Sequence, residues 1–381
     1  MKSIFKLLPR LAYVFLLPFS FFLLLTACPD PPETVDCGTH QIEVNGACEC
    51  EEGYHWNENQ TKCLMDTTSH NFVWTIDTLG ESGSYLNDIA IIDENNVWVV
   101  GYIKNGDSTY NAAHWDGSEW ELILVSPMGL TNPISCIFAF NENNIWFGKV
   151  GLPVHWDGQE YFKYTPTNST HPGQPTINAI WGNSLDDIYF VGNNGSIVHY
   201  DGNTFTRMES GTEVNLLDVW GLNENHIWAV GEDRHPPRSV ILFFYGNSWE
   251  TEYYNDWSGE ENCDSICGNF RTVWAWDDHV FLGGSAGIWD KSLDSNIWTL
   301  TRYTDINQMG FGEHRIRGNN KNDIIIVGLA QMRFHYNGVN WKDVGEDIYY
   351  SELFSVDIKD DFTVAVGETA DFRALIIRGY R

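Results

Sequence analysis

The sequence predicts an all-β protein: a seven-bladed β-propeller of four-stranded antiparallel blades, its N-terminal strand completing the last blade, with a small disulfide-rich module ahead of it. Three observations carry this. A unit of apolar strand, short polar turn and aromatic strand ending in glycine recurs seven times between residues 86 and 367. A turn signature built on Asp-Gly or Asn-Gly follows in most repeats. The seventh repeat stops after three strands, while an unpaired strand stands ahead of the first.

The recurring unit reads LNDIAIIDENNVWVVG to Gly101, ISCIFAFNENNIWFG to Gly148, INAIWGNSLDDIYFVG to Gly192 and LLDVWGLNENHIWAVG to Gly231. It continues as FRTVWAWDDHVFLG to Gly283, RIRGNNKNDIIIVG to Gly328 and LFSVDIKDDFTVAVG to Gly367. The spacings between these glycines are 47, 44, 39, 52, 45 and 39 residues, the variation expected of loops inserted into a constant unit. Five of the units then continue into a recognisable hairpin: HWDGSEW (114–120), HWDGQEY (155–161), HYDGNTF (199–205), YGNSW (245–249) and HYNGVNW (335–341). Asp-Gly and Asn-Gly between aromatic runs favour tight hairpins because both central residues take positive φ. Four strands per repeat follow, and radial packing buries both faces of each blade. The abundance of aromatic and turn residues, 17 Trp and 34 Gly, agrees. Residues 72–78, FVWTIDT, supply the missing fourth strand of blade 7, with Trp74 in the place of Trp120, Trp249 and Trp341, and ring closure removes an exposed edge.

Ahead of the ring, Lys2, Lys6 and Arg10 precede an apolar run, Leu11 to Leu25, of a length that suits a secretory signal. The run ends in Leu25-Thr26-Ala27-Cys28, which resembles the lipobox of bacterial lipoproteins. That resemblance implies a signal peptide at residues 1–27, lipidation of Cys28 and a membrane anchor, with residues 28–35 as an acidic, Pro-rich tether. Residues 36–64 hold Cys37, Cys48, Cys50 and Cys63, and their C-x-C-x-x-G-Y core resembles the second half of an EGF-like module. The resemblance implies pairing of Cys37 with Cys48 and Cys50 with Cys63. So small a piece needs such staples. Zinc on the four thiolates is the competing reading, which an oxidising compartment disfavours. Cys263 and Cys267 are expected to bridge within one loop, and Cys136 to be a buried small hydrophobe.

The net charge of −30 argues against nucleic acid and against an electrostatic grip on anionic lipid. No cofactor motif is readable, nor G-x-S-x-G, H-E-x-x-H or a P-loop. His114, His155, His199 and His335 recur at one position of different blades, too far apart to share a metal, and are expected to hydrogen-bond within their blades.

Residues 70–381 resemble the propeller repeats of secreted bacterial lipoproteins, and SHNFVWTIDTLG resembles the opening of a group often labelled glucosyl transferase. No nucleotide-sugar motif accompanies that label. Turns 93–96, 141–144 and 223–226 are short and polar and define one plain face. The opposite face receives the long connections, where binding usually resides. Candidate ligand-binding residues there are Arg234, His235 and Arg238 in one loop, with Trp257 and Glu260 in the next, suited to a carboxylate or a sugar. The function expected is that of a monomeric, non-catalytic binding or scaffold protein for a protein or glycan partner at a bacterial outer membrane or cell surface. The alternative is a glycosyltransferase or glycoside hydrolase with carboxylates at the central channel.

Overall fold

The computed structural model describes residues 37–38, 41–44, 47–51, 54–56, 61–65, 67–164, 176–256, 266–295, 297–302, 313–345 and 351–381. The chain divides into two compact units, residues 1–51 with 56–63 and residues 52–55 with 64–381. Cys28, Trp257, Glu260 and Cys263 lie outside the described residues.

In the smaller unit, strand Gln41–Val44 pairs antiparallel with Ala47–Cys50. Two disulfides staple it, Cys37 to Cys48 and Cys50 to Cys63, the pairing that the module's resemblance implied. Cys267 is also disulfide-bonded, while Cys136 is a buried free thiol donating toward the Ile177 carbonyl, so disulfides mark an oxidising environment. Among the described residues no helix is long and apolar enough to cross a membrane.

The larger unit forms seven four-stranded antiparallel sheets in sequence order. Their innermost strands are Tyr85–Asp93, Cys136–Asn141, Ile177–Ser184, Leu216–Asn223, Phe270–Trp276, Glu313–Asn320 and Glu352–Lys359. Each packs on the next, and the seventh returns to the first. Seven apolar clusters fill the seven interfaces between neighbouring blades, so the core is a ring of separate layers.

Close approach between blades explains a glycine within the inner strands. A Cβ on Gly221 would lie 2.5 Å from the Trp181 ring of blade 3, and one on Gly318 would lie 2.6 Å from the Trp274 ring of blade 5. The aromatic of one blade thus occupies the side-chain space of the next. Gly221→Ala is expected to destabilise the protein by about 1–3 kcal/mol through overpacking, read as a shift of the denaturation midpoint.

Ring closure is as the sequence predicts: Val73–Leu79 pairs along the whole of Ala374–Tyr380, completing the seventh blade. The register corrects one detail. Val73 lies opposite Tyr380, the place that Trp120 takes opposite Trp115 and Trp341 takes opposite Tyr336. Trp74 is opposite Gly379 on the other face, its ring lying where a Cβ on that glycine would be, with the Arg333 guanidinium 4.7 Å from its centre. A one-residue offset exchanges faces in a strand, and Val73 is accordingly 73% exposed. Two repeat glycines are also displaced. Lys149 and Gly284, not Gly148 and Gly283, take the place of Gly101 in blades 2 and 5. The Lys149 ammonium is buried and donates to the carbonyls of Val125 and Leu130 at 2.7 and 2.6 Å, and burial lowers its pKa to about 8.

Three of the four repeated histidines hydrogen-bond within their blades, as expected, while the buried His155 Nε2 has no partner among the described residues. His114 meets Asn96 at 2.9 Å, His199 meets Asp187 at 2.7 Å and His335 meets Asp323 at 2.8 Å, while His155 stacks on Trp146. Blade 6 gathers both ends of the ring as well. Arg381 donates two 2.8 Å hydrogen bonds to the carboxylate of Asp323, and His70 is joined to His335 through their Nδ1 atoms at 2.8 Å. With His335 Nε2 donating to Asp323, its Nδ1 is the acceptor and His70 the donor.

Candidate functional site: the long-loop face and the axis

Arg234 and Arg238 lie on an extended hairpin rather than a loop. Strand His226–Arg234 continues past Gly231 and pairs with Pro237–Phe244 out to Arg234 opposite Pro237, leaving His235 and Pro236 at the tip. The same extension occurs in blade 1, where Asn96–Asn105 pairs with Ser108–Trp115. Arg238 forms an ion pair with Asp233 across the hairpin. Arg234 and His235 are exposed, the Arg234 side chain by 72%, with its Nε 4.0 Å from Glu232.

Beneath Arg234 a polar chain crosses four blades, from the second strand of blade 4 along the starts of the inner strands of blades 5, 6 and 7. Glu232 of blade 4 accepts from Arg271 Nε of blade 5 at 2.7 Å, Arg271 Nη1 lies 3.2 Å from His314 Nδ1 of blade 6, and His314 Nε2 lies 3.1 Å from Glu352 of blade 7. A guanidinium only donates, so His314 Nδ1 is the acceptor and the neutral ring donates from Nε2 to Glu352. Burial, reinforced by Arg271, Arg315 and Arg234, lowers the His314 pKa to about 4. Unfolded His314 binds a proton near its ordinary value of 6.5, while the folded ring does not until about 4. Stability is therefore expected to fall as pH drops through that window, by up to about 3 kcal/mol. His314→Gln should flatten it in denaturation measured at successive pH values.

Deeper along the axis, seven equivalent inner-strand positions hold Asp88, Cys136, Ala179, Asp218, Thr272, Arg315 and Ser355. Several of these side chains bridge to a neighbouring blade. Asp88 accepts the Ile137 N–H at 2.9 Å and the Ser355 hydroxyl at 2.6 Å. Asp218 accepts the Val273 N–H at 3.0 Å and the Thr272 hydroxyl at 2.7 Å, and Thr272 in turn accepts the Ile316 N–H at 3.0 Å. Across the channel, Arg315 donates to Asp218 at 2.5 Å, and Arg317 reaches both Asp218 oxygens at 3.1 Å while stacking over Trp220. Burial alone pushes the Asp218 carboxyl up, but the two guanidinium groups outweigh it and hold the group below the usual carboxylate range. Burial leaves Asp357, which accepts the Ile91 N–H, with a raised pKa. A cavity on the axis, lined by Trp220, Arg315, Arg317 and Asp357, measures about 170 Å³. That is below the roughly 300–1,000 Å³ of ordinary small-molecule sites.

Of the predicted residues, the structure therefore places Arg234, His235 and Arg238 together on one hairpin, and shows Cys267 as bonded. Glu232, Arg271, His314 and Glu352, and the axial Asp88, Asp218, Arg315 and Arg317, were not singled out by sequence reasoning. Part of their signal was present as charge at equivalent places of otherwise apolar inner strands, Asp88, Asp218 and Arg315 at one and Arg271 and His314 at another.

No described protein family matches the chain, and no curated protein does. Solved structures share the fold. YCF48 bound to D1 peptide is 16% identical with a TM-score of 0.59, covering 83% of this chain and 99% of its own. The WD40 repeats of RRP9 are 11% identical with a TM-score of 0.59, covering 83% and 99%. An inactive virginiamycin B lyase from Staphylococcus aureus with quinupristin is 11% identical with a TM-score of 0.55, covering 81% and 99%. At these identities the likeness is one of propeller architecture.

Proposed function

We propose that this protein is a non-catalytic binding or scaffold propeller, lipid-anchored outside the cytoplasm through Cys28 and spaced from the membrane by an EGF-like module, whose long-loop face holds a protein partner. The observation that carries this reading is the exposed Arg234 standing over a buried Glu232–Arg271 pair, beside an axis whose acids are engaged by arginines and backbone N–H groups. A rim that presents the Arg234 guanidinium outward suits a carboxylate of the partner, held by a bidentate fork. The alternative, a carbohydrate-active enzyme working with carboxylates of the central channel, is disfavoured because Asp218 is neutralised by Arg315 and Arg317. Propellers similar in fold include one solved with a bound peptide and others named for WD40 repeats, which agrees with a protein partner.

The test is quantitative affinity purification from membranes, wild type against Arg234→Ala/His235→Ala. A partner that wild type retains and the double variant loses at least tenfold, at equal melting temperature, is expected. An unchanged partner set refutes the rim as the binding face. Cys28→Ala is expected to release the chain from membranes or block its processing, read by fractionation, and unchanged membrane association refutes the anchor.

A further inference from the structure

The short-turn face holds a cleft of about 660 Å³ between blades 5 and 6, well within the range of ligand sites. It has a cause in the repeat. In blades 1, 2 and 3 the third strand places a histidine ring against the aromatic residue opposite it: His114 on Trp98 at 4.8 Å, His155 on Trp146 at 4.3 Å and His199 on Tyr189 at 4.6 Å. Blade 6 keeps a histidine, His335, at this place. In blade 5 the same place, opposite Phe281, is Asp290. Blade 5 also lacks the Asp-Gly hairpin and runs from Ser292 to Thr299 through a longer connection. A missing ring and a wider turn coincide with the cleft, which is lined by the buried Phe281 and Ile288 and by the half-buried Tyr336 and Trp341 of the next blade.

Two charged groups of the cleft, Asp290 and Lys321, are not absorbed by the fold. Among the described residues the Asp290 carboxylate takes no hydrogen bond, and burial raises its pKa with His279 as its one opposing influence. The Lys321 ammonium lines the same cleft without an ion pair among the described residues. Leaving such groups half-buried and unpaired costs stability, and a ligand offering hydroxyls to both removes that cost. Aromatic faces beside a carboxylate and an ammonium suit a polyhydroxylated ring, which presents C–H groups to the aromatic and vicinal hydroxyls to the charges. A cationic ligand is disfavoured, since Lys321 and His279 stand in the cleft already. We propose that the cleft between blades 5 and 6 is a saccharide-binding site, with Trp341 and Tyr336 as the apolar platform and Asp290 and Lys321 as the hydroxyl-binding groups. The site lies on the face opposite the Arg234 rim and stands independently of the partner proposed there.

Calorimetry and saturation-transfer NMR on the protein as it exists, with glucose, galactose, mannose, N-acetylglucosamine and their β1,4- and α1,4-linked hexamers as probes, test this. At least one hexamer is expected to bind. Asp290→Ala and Trp341→Ala should weaken it at least tenfold. Asp290→His, which restores the ring found at this place in four other blades, should abolish binding at an unchanged melting temperature. Asp290→His keeps the test informative if Trp341→Ala fails to fold. Binding undiminished in Asp290→His, or no binding of any probe to the wild type, overturns the proposal, as does binding of spermidine in preference to every sugar.

Discussion

Asp218→Ala is expected to destabilise the propeller by about 3–5 kcal/mol, the usual cost of stripping one partner from a buried ion pair. Asp218 is fully buried and answers two guanidinium groups, a hydroxyl and two backbone N–H groups at once. Its removal leaves Arg315 and Arg317 facing each other, with Asp88, 3.9 Å from Arg315, and Asp357, on which Arg317 also acts, among the acids that remain. Asp218→Asn should cost nearly as much, because the amide keeps the shape and loses the charge. Replacing Arg315 and Asp218 together by Met and Leu should recover much of the loss, since apolar groups of like volume often substitute for a buried pair. The readout is chemical denaturation. A loss below about 1 kcal/mol for Asp218→Ala would show the axis to be solvated, with the pair worth no more than a surface bridge.

Deleting residues 70–79 is the second large effect. The strand Val73–Leu79 makes a full antiparallel ladder with Ala374–Tyr380, and Asp77 holds Arg378, whose guanidinium stacks 3.8 Å over Trp115 of blade 1. The deletion opens the ring and exposes the row of N–H and C=O groups along Ala374–Tyr380. It also removes Trp74 from above Gly379 and His70 from His335. Losing the ladder alone, at about 1 kcal/mol per hydrogen bond, amounts to several kcal/mol, and the free edge favours self-association. Thermal melting and size-exclusion chromatography should show a clearly lower transition and oligomers. Wild-type melting of the deletion variant would refute closure by the shared strand.

These two effects differ in how far the sequence discloses them. The closing strand is legible because a three-strand final repeat and an orphan strand announce each other. Its register is not, because the sequence pattern matches Trp74 to Trp120 and cannot see that Gly379 leaves room for an indole on the opposite face. The His positions are legible as blade-internal because they repeat, and the departure at Asp290 is legible only once the strands are aligned in space. At the long-loop face, Arg234, His235 and Arg238 stand together because they are neighbours in the chain, but the buried chain from Glu232 to Glu352 joins residues of four blades.

The sequence by itself determined the number of blades, the antiparallel order within each, the hairpins and the shared last blade. All of these follow from local patterns of period two, turn chemistry and repetition. Only the tertiary structure decided what fills the axis and where a cleft opens. Asp218 is 97 residues from Arg315 and Asp88 is 267 from Ser355, and no local rule relates them. They meet because ring closure brings equivalent positions of every inner strand to one axis, where burial compels each charge to find a partner. The same closure sets Asp290 beside Trp341, on two blades that share no hydrogen-bonded strand edge.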